Sequence, residues 1–481
     1  METNPGHASN ILHLPNELLS LIFISSLPAG SPTFSNDVLS LPLGMIPPAR
    51  TTAIAQTLRL ATVCRAFHAC AWDTPQLWCR IAITLGIGRK FALEQKEEER
   101  GGIEGRVGTL HRWLERSGSC QLSVRVQWGG RRSGHGQDMN EAETEAAAAV
   151  GAIAKHAARW RDVCLVLPVA CFLQLQAEGY PNAKNLEHLT LLRDPYTAFG
   201  EDEEGSTITA FRHVHALREV TLLGVPVKML DVRWDCLARF TGYFFRDDGI
   251  VDVLRHAPGL KECVFAWCLG NTTAGSLPIV PLKHDGLQVL RIAGNAGVLR
   301  HLTLPALKEL ELRMGKEVWG WSPQALISLL ARSHLGSTLK VLRLTVGFVS
   351  EGRLVECLEA LPGLRVFRLE NLNDRVHSAF SDGVLRRLAV REEGKGRSVI
   401  VPRLESLEVV GCSCQFDIEV LGEMLESRRK GISDSRLKRF GLEGSQDSPL
   451  GFDDAILSSL WMETLISKGM VTDIRRRVAD L

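Results

Sequence analysis

Leu307-Lys308-Glu309-Leu310-Glu311-Leu312-Arg313 places leucines at the first, fourth and sixth positions of a seven-residue stretch, with charged side chains between them. Leu310 and Leu312 alternate with Glu309, Glu311 and Arg313, the two-residue period of a β-strand buried on one face. The same spacing recurs before it as Trp160-x-x-Val163-x-Leu165, Leu186-x-x-Leu189-x-Leu191, Leu217-x-x-Val220-x-Leu222, Leu260-x-x-Cys263-x-Phe265 and Leu287-x-x-Leu290-x-Ile292. After it come Leu339-x-x-Leu342-x-Leu344, Leu364-x-x-Phe367-x-Leu369, Leu404-x-x-Leu407-x-Val409 and Leu437-x-x-Phe440-x-Leu442. A degenerate copy stands at Leu237-x-x-Phe240. Ten good copies in order indicate an α/β repeat.

Two regularities accompany the copies. Proline precedes the first leucine by two residues at Pro258, Pro305, Pro362 and Pro402, where it ends the preceding helix and feeds the chain extended into the strand. Eight residues after the first leucine stand Cys268, Asn295 and Cys412, whose side chains suit the capping of backbone groups in a turn. Copies lie from 20 residues apart (Leu287 to Leu307) to 40 (Leu364 to Leu404), and the longer gaps hold helices such as 322–334, 352–361 and 418–429. The pattern resembles the strand signature of leucine-rich repeats. The resemblance implies an irregular solenoid, a horseshoe over 109–481 with strands on its concave side and helices outside. A capping helix is expected over 453–478, with Ile456, Leu457, Leu460, Trp461, Leu465 and Ile466 at helical spacing.

The N-terminal part reads differently. In Leu14-Pro15-Asn16-Glu17-Leu18-Leu19-Ser20-Leu21-Ile22-Phe23, Pro15 suits the first position of a helix, and Glu17 lies where the positive helix end favours an anion. Leu18, Leu19, Ile22 and Phe23 fall on one stripe of that helix. A helix so short must bury its stripe against a second segment, where Leu60, Val63, Cys64, Phe67 and Ala71 recur at helical spacing, or against another protein. These two segments, followed by Leu77-Trp78-x-x-Ile81, resemble an F-box. The resemblance implies a small helical bundle over 11–83 that docks onto a Skp-family adaptor, and through it a cullin. The residues it assigns to docking are Leu14, Pro15, Leu18, Leu19, Ile22, Phe23, Val63, Cys64, Phe67, Leu77 and Trp78. Two departures from the pattern are an insertion over 29–53 and Phe67 in place of the usual tryptophan, whose volume Trp72 partly supplies. Such insertions are familiar in large fungal families of F-box-like proteins that continue into leucine-rich repeats, and the layout of this chain is similar.

Composition bounds the function. Across 481 residues, 45% hydrophobic and 23% charged side chains describe a globular chain. Lys and Arg number 56 against 55 Asp and Glu, a net charge of +1, which argues against a dedicated nucleic-acid or anionic-membrane surface. The first residues lack a signal-peptide pattern, and the longest apolar run, 163–173, is too short to span a bilayer. The expected residence is cytoplasmic, nuclear or both. Twelve cysteines there read as free thiols, and the sequon at Asn271 as idle. A tail over 1–10 and a charged, glycine-bearing hinge over 84–108 complete the expected domain layout.

No Walker loop, Gly-x-Ser-x-Gly elbow or His-Glu-x-x-His occurs, and Gly86-x-Gly88 and Gly394-Lys395-Gly396 are only fragments of phosphate loops. Cys64, His68 and Cys70 lack the second ligand pair that a zinc site needs, so core packing accounts for them better. The runs at 201–204, 428–430 and 475–477 read as solvated charge. No catalytic residue, cofactor or metal is therefore expected. The expected function is the substrate-recognition subunit of a cullin-type (SCF) ubiquitin ligase, acting by concentrating an unidentified protein target near the ligase. On the repeat strands, Glu309, Glu311, Arg313, Arg343, Arg368, Glu370, Glu408 and Glu443 face the concave surface as candidate target contacts. The alternative is a leucine-rich interaction scaffold whose F-box has diverged.

Overall fold

A computed structural model describes residues 11, 14–27, 52–85, 103–128, 137–168, 171–173, 175, 183–193, 206–270, 277–315, 322–347, 349–372, 380–390, 399–412, 414, 416–430, 437–445 and 452–476. The expected tail, most of the 29–53 insertion, the middle of the 84–108 hinge, the sequon, both glycine fragments and the acidic run at 201–204 lie outside the described residues. The chain forms two compact units, Met1–Leu237 and Ala238–Leu481.

In the first unit, helices α1 (Asn16–Ser26), α2 (Thr52–Ala61) and α3 (Arg65–Trp72) run directly into strand β1 (Arg80–Leu85). Helix α4 (Ile103–Arg116), β2 (Leu122–Trp128), α5 (Gln137–Ala154), β3 (Trp160–Leu167), β4 (His188–Arg193) and β5 (Glu219–Leu223) follow, and the five strands pair in parallel in chain order. Among the described residues of the second unit, nine parallel strands also pair in chain order: β6 (Arg239–Tyr243), β7 (Glu262–Cys268), β9 (Val289–Gly294), β11 (Glu309–Arg313), β12 (Val341–Val346), β13 (Val366–Asn371), β14 (Ser406–Cys412), β15 (Arg439–Gly444) and β16 (Val471–Arg476). Two short strands, β8 (Leu282–Lys283) and β10 (Leu302–Thr303), pair with each other. Helices α6 (Asp247–His256), α7 (Pro323–Arg332), α8 (Glu351–Glu359), α9 (Asp382–Leu388), α10 (Ile418–Lys430), α11 (Phe452–Leu457) and α12 (Leu460–Ser467) fill the longer connections.

This architecture corrects the expected fold class. No separate N-terminal F-box bundle is evident, and the remainder is an α/β arrangement on a large parallel sheet rather than a leucine-rich-repeat horseshoe. The N-terminal helices belong to the first α/β unit. Their core of Leu19, Phe23, Leu27, Phe67, Ala71, Leu77 and Trp78 also receives Trp113 of α4, and α2 packs on β1. The Arg116 guanidinium of α4 lies 4.4 Å from the Trp72 ring centre and 4.9 Å from that of Trp78, a cation–π contact that ties α4 to this core. Burial in β3 and β4 also departs from a sheet with one open face. Val163 and Leu165 are buried on one side, and Cys164 and Val166 on the other, where they cluster with Leu192. Strands buried on both faces belong to covered α/β sheets.

Each copy of the leucine pattern contributes one strand, beginning two residues after its first leucine or, at Trp160, on the first residue itself. Leu310 and Leu312 are buried while Glu309 and Arg313 on the other face stay half-exposed. Each fully buried leucine contributes about 1.5–3 kcal/mol by transfer. The prolines act in turns rather than in extended backbone. The Leu260, Leu307, Leu364 and Leu404 N–H groups donate to the carbonyls of Ala257, Leu304, Leu361 and Val401, so Pro258, Pro305, Pro362 and Pro402 occupy the second position of a four-residue turn. Fixed φ makes proline the favoured residue there. Asn295 Oδ1 accepts the Gly297 N–H at 2.7 Å, the local cap that its position suggests.

Two expectations fail locally. The C-terminal helix over 453–478 is instead two short helices and the strand β16. Arg428, read as part of a solvated run, is fully buried on α10 and donates to the carbonyls of Leu388 (2.6 Å), Ile400 (2.7 Å) and Val401 (2.9 Å).

Candidate functional site

The resemblance to an F-box directs attention to α1. Pro15 stands at its N-cap, the chain turns into helix there, and Glu17 lies in the first turn. Leu19 and Phe23 are buried, and the Phe23 ring meets Phe67 edge-on at 4.9 Å between centres. Leu77 and Trp78 are wholly buried, with Trp78 Nε1 donating to the Ala71 carbonyl at 2.9 Å. Leu14 packs half-buried against the same core. Cys64 caps α3, its sulfur accepting the Phe67 N–H at 3.4 Å. These seven candidate contacts build the protein's own core or its caps.

The other candidates face outward. Leu18 is 46% exposed, Ile22 42% and Val63 64%, with Pro15 also exposed. Leu21, 58% exposed, was missed by the sequence reading, although its place three residues after Leu18 puts it on the same helix face. On the inner side, the Ser20 hydroxyl meets Thr74 Oγ1 at 2.8 Å and fixes α1 against the end of α3. The single stripe expected over Leu18, Leu19, Ile22 and Phe23 therefore divides into an inward pair and an outward pair.

In the second unit the candidate target contacts share the polar face of the sheet, where they pair with one another. Glu309 Oε1 accepts from Arg343 Nη1 at 2.7 Å and from Arg291 Nη2 at 3.1 Å. Arg291 also donates to Glu262 at 2.7 Å, and Glu311, largely buried, accepts from Arg313 Nε at 2.6 Å. Arg368 reaches Glu408 at 3.0 Å and Glu370 at 3.5 Å. Glu443 is half-exposed on β15. Burial tends to lower the Arg291 pKa, but the carboxylates of Glu309, Glu262 and Glu311 outweigh it and raise the value.

A third polar group lies on β2–β4, where the Ser123 hydroxyl and the His188 Nδ1–H both bond Asp162. Ser123 is bonded to the carboxylate and not to the imidazole, so the group is not a nucleophile–base pair. Among the described residues no cluster of His, Cys, Asp and Glu is placed to hold a metal ion. His68 stacks on Trp72 at 4.2 Å and Cys70 is buried in the helical core. The eleven cysteines whose side chains are described form no disulfide, and burial pushes the thiol of Cys164 up to about 11 and that of Cys357 to about 12. No described helix is long and apolar enough to cross a membrane.

No protein-family model matches the chain, and no curated protein matches it.

Proposed function

We propose that the chain is a substrate-recognition subunit of a cullin-type ubiquitin ligase, resident in the cytoplasm, the nucleus or both. The outward face of α1 docks a Skp-family adaptor, and the polar sheet face of the second unit receives a protein target. The observation that carries this reading is the exposure of Leu18, Leu21 and Ile22 along one side of a helix that buries Leu19 and Phe23 on another. Contiguous exposed apolar side chains mark interaction surfaces. Covering the exposed halves of these three and of Val63 contributes on the order of 3–6 kcal/mol, enough to anchor an interface that further contacts complete. The chain supplies no chemistry in this scheme; it raises the effective concentration of the target.

The scaffold reading draws on the same helix. Leu19, Phe23, Phe67, Leu77 and Trp78 are committed to the core, which leaves a narrower docking face than the motif promises. Co-expression with the adaptor separates the two readings. Co-elution of the chains, abolished by Leu18→Asp/Ile22→Asp, supports the ligase subunit, and separate elution of a folded parent supports the scaffold.

A further inference from the structure

Among the described residues, the last strand of the second unit has no neighbour on one side. β16 bonds β15 in parallel from Arg439↔Val471 to Gly444↔Arg476, and among the described residues no strand lies beyond it. The Val471 N–H donates to the Lys438 carbonyl at 3.0 Å. In a parallel ladder alternate residues turn both backbone groups toward the same neighbour. Val471, Asp473 and Arg475 therefore serve β15, while Thr472 and Ile474 present their N–H and C=O groups to the free edge. No proline or bulge interrupts β16, and the side chain of Val471 is exposed. Helix α11, which packs on β16, leaves Leu457 exposed, and the adjoining α12 leaves Leu460 (79%) and Ile466 exposed. An unblocked edge of this kind is a template for another strand.

We propose that this edge pairs with the same edge of a second copy of the chain, antiparallel about Ile474. Two features of β16 fit that occupant. An antiparallel pair centred on Ile474 makes Ile474 and its symmetry mate the hydrogen-bonded pair, and Ile474 is a residue whose backbone groups face outward. The same register sets Asp473 of each copy opposite Arg475 of the other. Within one copy these side chains share a face, Arg475 Nε donating to Asp473 Oδ1 at 3.0 Å, so complementary charge already stands on both sides of the two-fold axis. Centring the pair on Arg475 instead would oppose the arginines. Such an interface is isologous and closes at the dimer, so it does not propagate into a fibre.

The test is the mass of the full chain by light scattering and sedimentation equilibrium, from sub-micromolar to high-micromolar concentration. A dimer is expected. Ile474→Pro removes an outward N–H that β15 does not use, and should weaken the dimer roughly tenfold or more through two lost intermolecular bonds. Arg475→Asp sets like charges opposite each other and should abolish the dimer, while Asp473→Arg/Arg475→Asp restores it. Each variant is first checked for parental thermal unfolding, and if Ile474→Pro does not fold, the exposed charge variants decide. A parent that stays monomeric throughout, a dimer indifferent to Arg475→Asp, or a charge swap that fails to restore association would overturn the proposal.

Discussion

His188 Nδ1 and Asp162 Oδ1 stand 2.5 Å apart across β4 and β3, and the Ser123 hydroxyl takes the other carboxylate oxygen at 2.5 Å. The bond to Asp162 raises the His188 pKa against the opposing effect of burial, with further help from the charges of Asp162 and Glu219. Burial alone would raise the pKa of Asp162, but the bonds from His188 and Ser123 outweigh it and lower the value. For the histidine, the stabilisation is complete below its unfolded pKa of about 6.5 and is lost as pH rises through the raised folded value. For the aspartate, it is present above about 3.9 and is lost as pH falls through the lowered folded value. The pair is therefore at full strength between about pH 4 and about pH 6.5. Thermal unfolding at about pH 6 and about pH 8 should show a fall in the parent's Tm that His188→Gln reduces. Parallel pH profiles for the two proteins would refute the coupling.

Arg428 carries its charge into the core of the second unit, and among the described residues no carboxylate pairs with it. Its three bonds join the end of α9 to the 399–401 segment, and burial pushes its pKa down to about 10, which leaves it protonated at neutral pH. Arg428→Met removes the donors and strands buried carbonyls, at an expected cost of about 2–4 kcal/mol in urea denaturation. Arg428→Lys should recover only part of that loss, because an ammonium group lacks the planar fork. A neutral Arg428→Met would show that water replaces the guanidinium.

Opposite faces of α1 should respond differently to truncation. Phe23→Ala opens a cavity beside Phe67 and should cost about 3–5 kcal/mol. Leu21→Ala removes an exposed side chain and should stay within about 0.5 kcal/mol. Equal losses at the two positions in denaturant titrations would mean that Leu21 is covered in solution.

Strand positions were legible because a leucine at every second residue leaves little else for the backbone to do. Leu342 and Leu344, or Leu189 and Leu191, announce their strands through spacing alone. Burial of β3 on both faces was written in the apolar run from Val163 to Pro168, which reads as a covered strand and not as an alternating one. β1 is hidden in the sequence because it lies at the end of the span 11–83 that resembles an F-box, where Ile81 reads as part of a helical unit. Extending the helical spacing of 456–466 past Gly469, whose φ of +81° ends the helix, hides β16. On α1, spacing could place Leu18, Leu19, Ile22 and Phe23 on one broad stripe but not say which half meets the core. Tertiary packing against Phe67 and Trp78 makes that choice. Arg428 shows a related ambiguity, since a basic run discloses nothing about which arginine finds buried carbonyls.

The most direct measurement is a calorimetric titration of the purified chain with a Skp-family adaptor, alongside Leu18→Asp/Ile22→Asp and a control, Leu460→Asp, on the exposed face of α12. The parent and the control should bind alike, while the α1 variant keeps its unfolding temperature and loses at least about tenfold in affinity. No heat of binding from a folded parent, or equal affinity in the α1 variant, would contradict the assignment of this face to adaptor docking.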